Sequence, residues 1–175
     1  MPPRYFELLD DVNKLGRWEL SDPTDQHGRE VDNPWMFRKG ASALETDEPL
    51  GSSVQHSWQQ RLLERVGDEV AEHEWIRERL KVGMMSQEVS GKDMPAELVT
   101  EQGRVGVLLG IETGTLPRSF DMPAGAVRLV TLQVLLPVEL GYLLKSGKQG
   151  LEELAQRFKA GAAGHMVRAQ RQPVV

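Results

Sequence analysis

The chain has 175 residues, no cysteine, 39% hydrophobic and 27% charged residues, and a formal net charge of −5. The length suits about one domain of the usual ~100–200 residues, and the composition is that of a globular chain, not a disordered one. Zero cysteine excludes disulfide scaffolds, Cys-ligated zinc, iron–sulfur clusters and thiol nucleophiles. The acidic balance argues against direct nucleic-acid binding, which relies on Lys and Arg to neutralise phosphates.

The first residues, Met1-Pro2-Pro3-Arg4-Tyr5-Phe6, run into Glu7, Asp10 and Asp11 with no basic stretch leading to an apolar one. No export signal is expected from that pattern, and the absence of cysteine fits a reducing cytoplasm. Residues 4–9 and 17–20 read as short strands, with Asn13 and Gly16 available for the turn between them. Residues 21–34, SDPTDQHGREVDNP, read as a polar loop carrying Asp22, Asp25, Glu30 and Asp32, and Trp35 follows directly. A second weak stretch, 40–53, marks the end of an N-terminal segment (1–50). The remainder (51–175) forms either a separate unit or one compact domain with it.

Residues 54–81 carry the clearest helical pattern. Trp58, Leu62, Val66 and Val70 step by four, Ile76 and Leu80 repeat the step after a break, and Leu63 widens the stripe. Ser52 or Ser53 is expected to cap the start. Gly67, about 1 kcal/mol worse than Ala in a helix interior, is expected to mark a kink or a split. Residues 84–103 read as irregular, punctuated by Gly91, Pro95 and Gly103. Residues 105–111, VGVLLGI, read as a buried strand, 112–125 as a loop, and 127–136, VRLVTLQVLL, as a second strong strand. That last run spans about ten residues, against the roughly 20 apolar residues of a membrane-spanning helix.

Pro137 suits the first turn of a helix over 138–146 that Gly147 ends. A further amphipathic helix runs over 150–160 through Leu151, Leu154 and Phe158, closed by Gly161. The last fifteen residues have no clear period. Strands and helices that do not alternate regularly predict an α+β fold, an α/β sandwich with a central mixed sheet covered by helices.

Charge is unevenly distributed. Residues 1–50 hold eleven acids and six bases, whereas residues 155–175 hold Arg157, Lys159, Arg168 and Arg171 and no acid. Such asymmetry points to partners of different sign, to the two ends meeting in the fold, or to ordinary solvated surface.

No chemistry-bearing motif is complete. Glu69 and His73 lie four apart on one helix face, but a metal site needs three or four convergent ligands, and HExxH is absent. The pair is the basis of a rival reading as an uncharacterised hydrolase. Around Gly28 the acids miss the calcium-loop register, since Thr24 and Gln26 stand where acids are needed. No GxSxG elbow is present, and Gly103-Arg104-Val105-Gly106 enters a strand, the reverse of a phosphate loop's order. Asp10 and Asp11, consecutive on a strand, face opposite ways. No catalytic residue, cofactor or metal is therefore expected. Of the tryptophans, Trp58 belongs to the core stripe, while Trp35 follows the acidic loop and Trp75 lies off the stripe. An exposed Trp beside acids is a common form of binding hot spot, although burial under a loop is the plainer reading.

Residues 104–111 with 116–144, RVGVLLGI and LPRSFDMPAGAVRLVTLQVLLPVELGYLL, resemble the bacterial suppressor-of-fused domain. The likeness extends through the LEELAQRF helix to the closing RQPVV and covers roughly residues 84–175. Residues 4–40 are similar to the start of a family of small bacterial immunity proteins from polymorphic toxin systems, carried by LGRW, DPTDQHGREVD and PWMFRKG. Both resemblances imply an α/β sandwich and a binding role without catalytic residues. The expectation is a cytoplasmic immunity protein that neutralises a cognate toxin, with a basic nuclease-like domain as the fitting target for an acidic loop. Its contact candidates are Asp22, Asp25, Glu30, Asp32 and Trp35. The alternative is a regulatory or structural scaffold of the suppressor-of-fused type, docking a partner through the Arg-rich tail. No membrane is expected among its partners.

Overall fold

The computed structural model describes residues 42–44, 46, 48, 57–112, 119–122, 125–161 and 166–175. The strands expected at 4–9 and 17–20 and the acidic loop lie outside them. Four strands form a mixed sheet: β1 (Ser42–Ala43), β2 (Met85–Ser90), β3 (Arg104–Leu109) and β6 (Val130–Leu135), in the order β1-β6-β3-β2. β3 pairs antiparallel with both β2 and β6, and β1 runs parallel to β6. A separate hairpin joins β4 (Ser119–Met122) to β5 (Gly125–Arg128).

Alternation along the strands decides what each sheet face carries. Val105, Val107 and Leu109 of β3 and Val130, Leu132 and Val134 of β6 share one core with α1 (Trp58–Glu72) and α2 (Glu74–Val82). Leu108 and Leu135 point the other way, into a second core under α3 (Pro137–Ala160). A side chain at Gly106 would come within 3.0 Å of Leu140, so glycine there lets α3 lie close on the sheet. Helices thus cover both faces of the sheet, and the α+β sandwich predicted from the sequence is the architecture found.

Several boundaries differ from the sequence expectation. The 54–81 pattern is two helices, but the break falls at His73 and not at Gly67, which stays buried inside α1. His73 has extended backbone angles and terminates α1 through its N–H to the Glu69 carbonyl at 3.1 Å. The cap of α1 is Ser57, whose hydroxyl accepts from the Gln60 N–H at 3.2 Å. The expected caps Ser52 and Ser53 lie outside the described residues.

Residues 85–90, expected to be irregular, form β2. Polar Gln87 interrupts an apolar alternation that Met85 and Val89 alone carry into the core. The expected 112–125 loop contains β4 and the start of β5, and the 127–136 run divides at Leu129 between β5 and β6.

Among the described residues β2 is an outer strand of the sheet. The Gly91 N–H bonds the Gly103 carbonyl at 2.8 Å, continuing the β2–β3 ladder, so alternate groups at Glu88 and Ser90 face away from β3. Their carbonyls are taken by guanidinium groups: Glu88 by Arg104 at 2.6 Å and Ser90 by Arg65 at 2.7 Å. Such capping blunts a sheet edge against pairing with another chain.

α3 is two helices joined at a corner, as the glycine-terminated patterns predict. Gly147 has φ 56° and ψ −134°, a conformation essentially reserved for glycine. On a straight helix Tyr142 and Glu153 would be about 16 Å apart along the axis. Here the Tyr142 hydroxyl donates to the Glu153 carboxylate, because the helix turns back on itself.

The tail is a strap inside the fold. Val167 and Ala169 join the core of the first sheet face. The Ala169 N–H donates to Glu48 Oε1 at 2.6 Å, and Gln133 Nε2 donates to the Met166 carbonyl at 3.4 Å. Arg171, expected to be available to a partner in the scaffold reading, is largely buried against Glu139.

Candidate docking cleft

Three elements converge on an open cleft of about 900 Å³. α2 contributes Glu74, Trp75, Glu78, Arg79 and Val82, β2 contributes Met85 and Ser86, and the α3 corner contributes Leu143, Gly147, Lys148 and Leu151. The arrangement follows from the helical period of α2. Ile76 and Leu80 face the core, so Trp75, Arg79 and Val82, at i, i+4 and i+7, form a stripe on the outside.

Trp75 is 56% exposed and Val82 81% exposed, and both stand beside the same apolar floor. Buried Met85 and Leu143 form part of that floor. Charges stand at the rim. Glu78 pairs with Lys81 at 2.6 Å, and Lys148 lies 3.8 Å from Glu152. An apolar trough with a projecting indole and a charged rim has the make-up of an interface core and rim, and can accept apolar side chains oriented by charge.

The titratable groups singled out by the sequence sit elsewhere. His73 Nε2 and Glu69 Oε2 are 3.8 Å apart and half-exposed, at the junction of α1 and α2, with the His73 ring 6.4 Å from Trp75. This is a surface pair that helps fix a helix junction, of the kind that contributes little to stability. Asp22, Asp25, Glu30, Asp32 and Trp35 lie outside the described residues. Trp58 packs against the core, as its stripe predicts.

Two polar clusters were not foreseen. Fully buried Glu139 accepts four hydrogen bonds. Its Oε1 takes Arg171 Nη1 at 2.5 Å and the Val174 N–H at 2.9 Å, and its Oε2 takes Arg171 Nη2 at 2.5 Å and the Leu136 N–H at 2.8 Å. The carboxylate therefore serves the fold, joining the start of α3 to the strap.

The second cluster braces the corner. Glu153 accepts from Tyr142 and, at 2.9 Å, from Gln149 Nε2. Its carboxyl is held below the usual range, first by the Tyr142 hydroxyl, then by Gln149, with Arg157 adding attraction against the opposing effect of burial. The Tyr142 phenol is pushed above its usual range, chiefly because its proton is held by Glu153. Arg157 lies 6.0 Å from the Tyr142 ring centre and donates to the Val174 carbonyl at 2.8 Å. The spacing of eleven places Tyr142 and Glu153 on one face of a straight helix but three turns apart, so it gives no signal of contact. Only the glycine between them hints at a turn.

Among the described residues no helix is long and apolar enough to cross a membrane. No protein-family model matches the chain, and no curated protein and no solved structure matches it.

Proposed function

We propose that this chain is a non-enzymatic protein-binding module, in its most specific form a cytoplasmic immunity protein that binds and neutralises a cognate bacterial toxin. The observation that carries the binding role is the cleft, where exposed Trp75 and Val82 stand over the apolar floor. Exposed Trp in such a setting is the usual anchor of a protein interface, because a large rigid ring is desolvated at little entropic cost. The toxin as partner is supported by the resemblance of residues 4–40 to immunity proteins. It is also supported by Asp22, Asp25, Glu30 and Asp32, whose field would attract a basic nuclease-like domain.

Capture from the native organism tests this, using the wild-type chain and a Trp75→Ala/Val82→Ser variant as baits. The expected result is one toxin domain held at equal stoichiometry by the wild type and at least tenfold more weakly by the variant, since two interface anchors typically carry more than ~1.4 kcal/mol. The captured domain should arrest growth when expressed alone, and co-expression of this chain should restore it. A domain bound equally by both baits would move the contact away from the cleft. Reversal of Asp22, Asp25, Glu30 and Asp32 to Lys would then be expected to slow association and flatten its salt dependence. Failure to capture or neutralise any toxin would overturn the immunity reading.

A further inference from the structure

We propose that the α3 corner is a movable wall of the cleft, and that the Tyr142–Glu153 hydrogen bond is the latch that sets its position. The use of that wall in docking rests on the function proposed above, whereas its existence does not.

The two limbs of the corner are anchored at their bases. Leu140 and Leu143 on one limb, and Leu154, Ala155 and Phe158 on the other, are buried in the second core. Between the bases the tip is exposed: Leu144 is 65% exposed, and Lys145, Gly147, Lys148, Gln149 and Glu152 are exposed as well. Nothing lies within 4 Å of the place a Gly147 side chain would occupy, so the turn residue itself is open on that side.

Buried Gly150 is the exception. A side chain there would meet the Ser146 Cβ at 2.7 Å, so the limbs close on each other only because residue 150 is glycine. Tyr142 and Glu153 stand where the buried bases give way to the exposed tip. Neither lines the cleft, but Gly147, Lys148 and Leu151 of the tip do. Within the tip only Gly150 is buried and only Leu151 packs on the second core, and a segment so lightly held, with one polar crosslink between its limbs, is the kind of unit that opens locally while the rest of a molecule stays folded. Tyr142 and Glu153 are therefore positioning residues for the cleft. The other charged groups around the latch are Arg157, which faces Tyr142, and the Lys148–Glu152 pair of the tip.

Hydrogen exchange of the whole chain, read by mass spectrometry, tests the latch. Tyr142→Phe keeps the ring in the core edge and removes the donor. It should raise exchange over residues 144–152 by roughly three- to tenfold, the worth of one hydrogen bond, and leave α1 unchanged. Gly150→Ala should raise exchange in the same segment by forcing the limbs apart. In the wild type the segment's protection, corrected for intrinsic rates, should fall in acid as Glu153 is protonated, and Tyr142→Phe should lose most of that step. Unchanged exchange over 144–152 in Tyr142→Phe would overturn the proposal. A rise spread over the entire chain would also overturn it, because the contact would then only support global stability. Neither result depends on whether a toxin is ever captured.

Discussion

Glu139 shows how one residue can decide the energetics of a tail. Its carboxylate is fully buried, and its charge is balanced by the bidentate guanidinium of Arg171 and by two backbone N–H groups. Burying two ions costs several kcal/mol each in desolvation, so the pair is weak evidence of net stabilisation, but removing one partner strands the other. Arg171→Ala should therefore lower stability by about 3–5 kcal/mol, read as a fall in the urea midpoint at unchanged slope. The double change Arg171→Met/Glu139→Leu should recover only part of that loss, because it leaves no buried charge but takes the acceptor from the Leu136 and Val174 N–H groups. Arg171 also sits 5.1 Å from the Phe158 ring centre, so part of the loss on truncation is packing.

Among the described residues, the shifted groups are Tyr142 and Glu153 of the α3 corner, which gives that element a dependence on pH. Glu153 has a lowered pKa, so its contribution is present above the unfolded value and is lost as pH falls through the folded one. Tyr142 has a raised pKa, so its contribution is present below the unfolded value near 10 and is lost as pH rises through the folded one. The corner should hold across the neutral range and loosen at both ends. The check is tyrosine absorbance and exchange over 144–152, with the acid limb missing in Glu153→Leu.

The α1–α2 junction makes a different point. The sequence offers Gly67 as the breaker, since glycine is a poor helix former, but core contacts on the Leu62–Val66–Val70 stripe keep α1 intact through it. The chain turns at His73 instead, which brings Ile76 and Leu80 back onto the same core.

At the scale of the molecule, the strap contributes Val167 and Ala169 to one core and Arg171 to the Glu139 site. Deleting residues 166–175 should abolish the folded state, not merely a docking function, and should appear as loss of the near-ultraviolet dichroism of the tryptophans. Tail removal that left the chain folded would show that the strap lies outside the cooperative unit. The cleft is also a property of this scale, because α2, the start of β2 and the α3 corner are brought together only when both helical layers have docked.

Local pattern determined much of this architecture. The four-residue steps of Leu62, Val66 and Val70, the buried run of β3 and the helix breaks at Pro137, Gly147 and Gly161 act over a few residues and are found where the sequence places them, whereas the 127–136 run is divided at Leu129. The sequence also marked Trp75 as lying off the core stripe. What it left undecided depends on partners distant in the chain. β2 becomes a strand because β3 offers it a ladder, although its own residues are mostly polar. Arg171 reads as a surface base until Glu139, 32 residues away, takes it into the interior. Tyr142 and Glu153 meet only because a glycine lets the helix reverse. Periodicity reports which face of an element is apolar. Which faces come together, and which charge is buried against which, is fixed by tertiary packing, where desolvation and long-range contact decide the outcome.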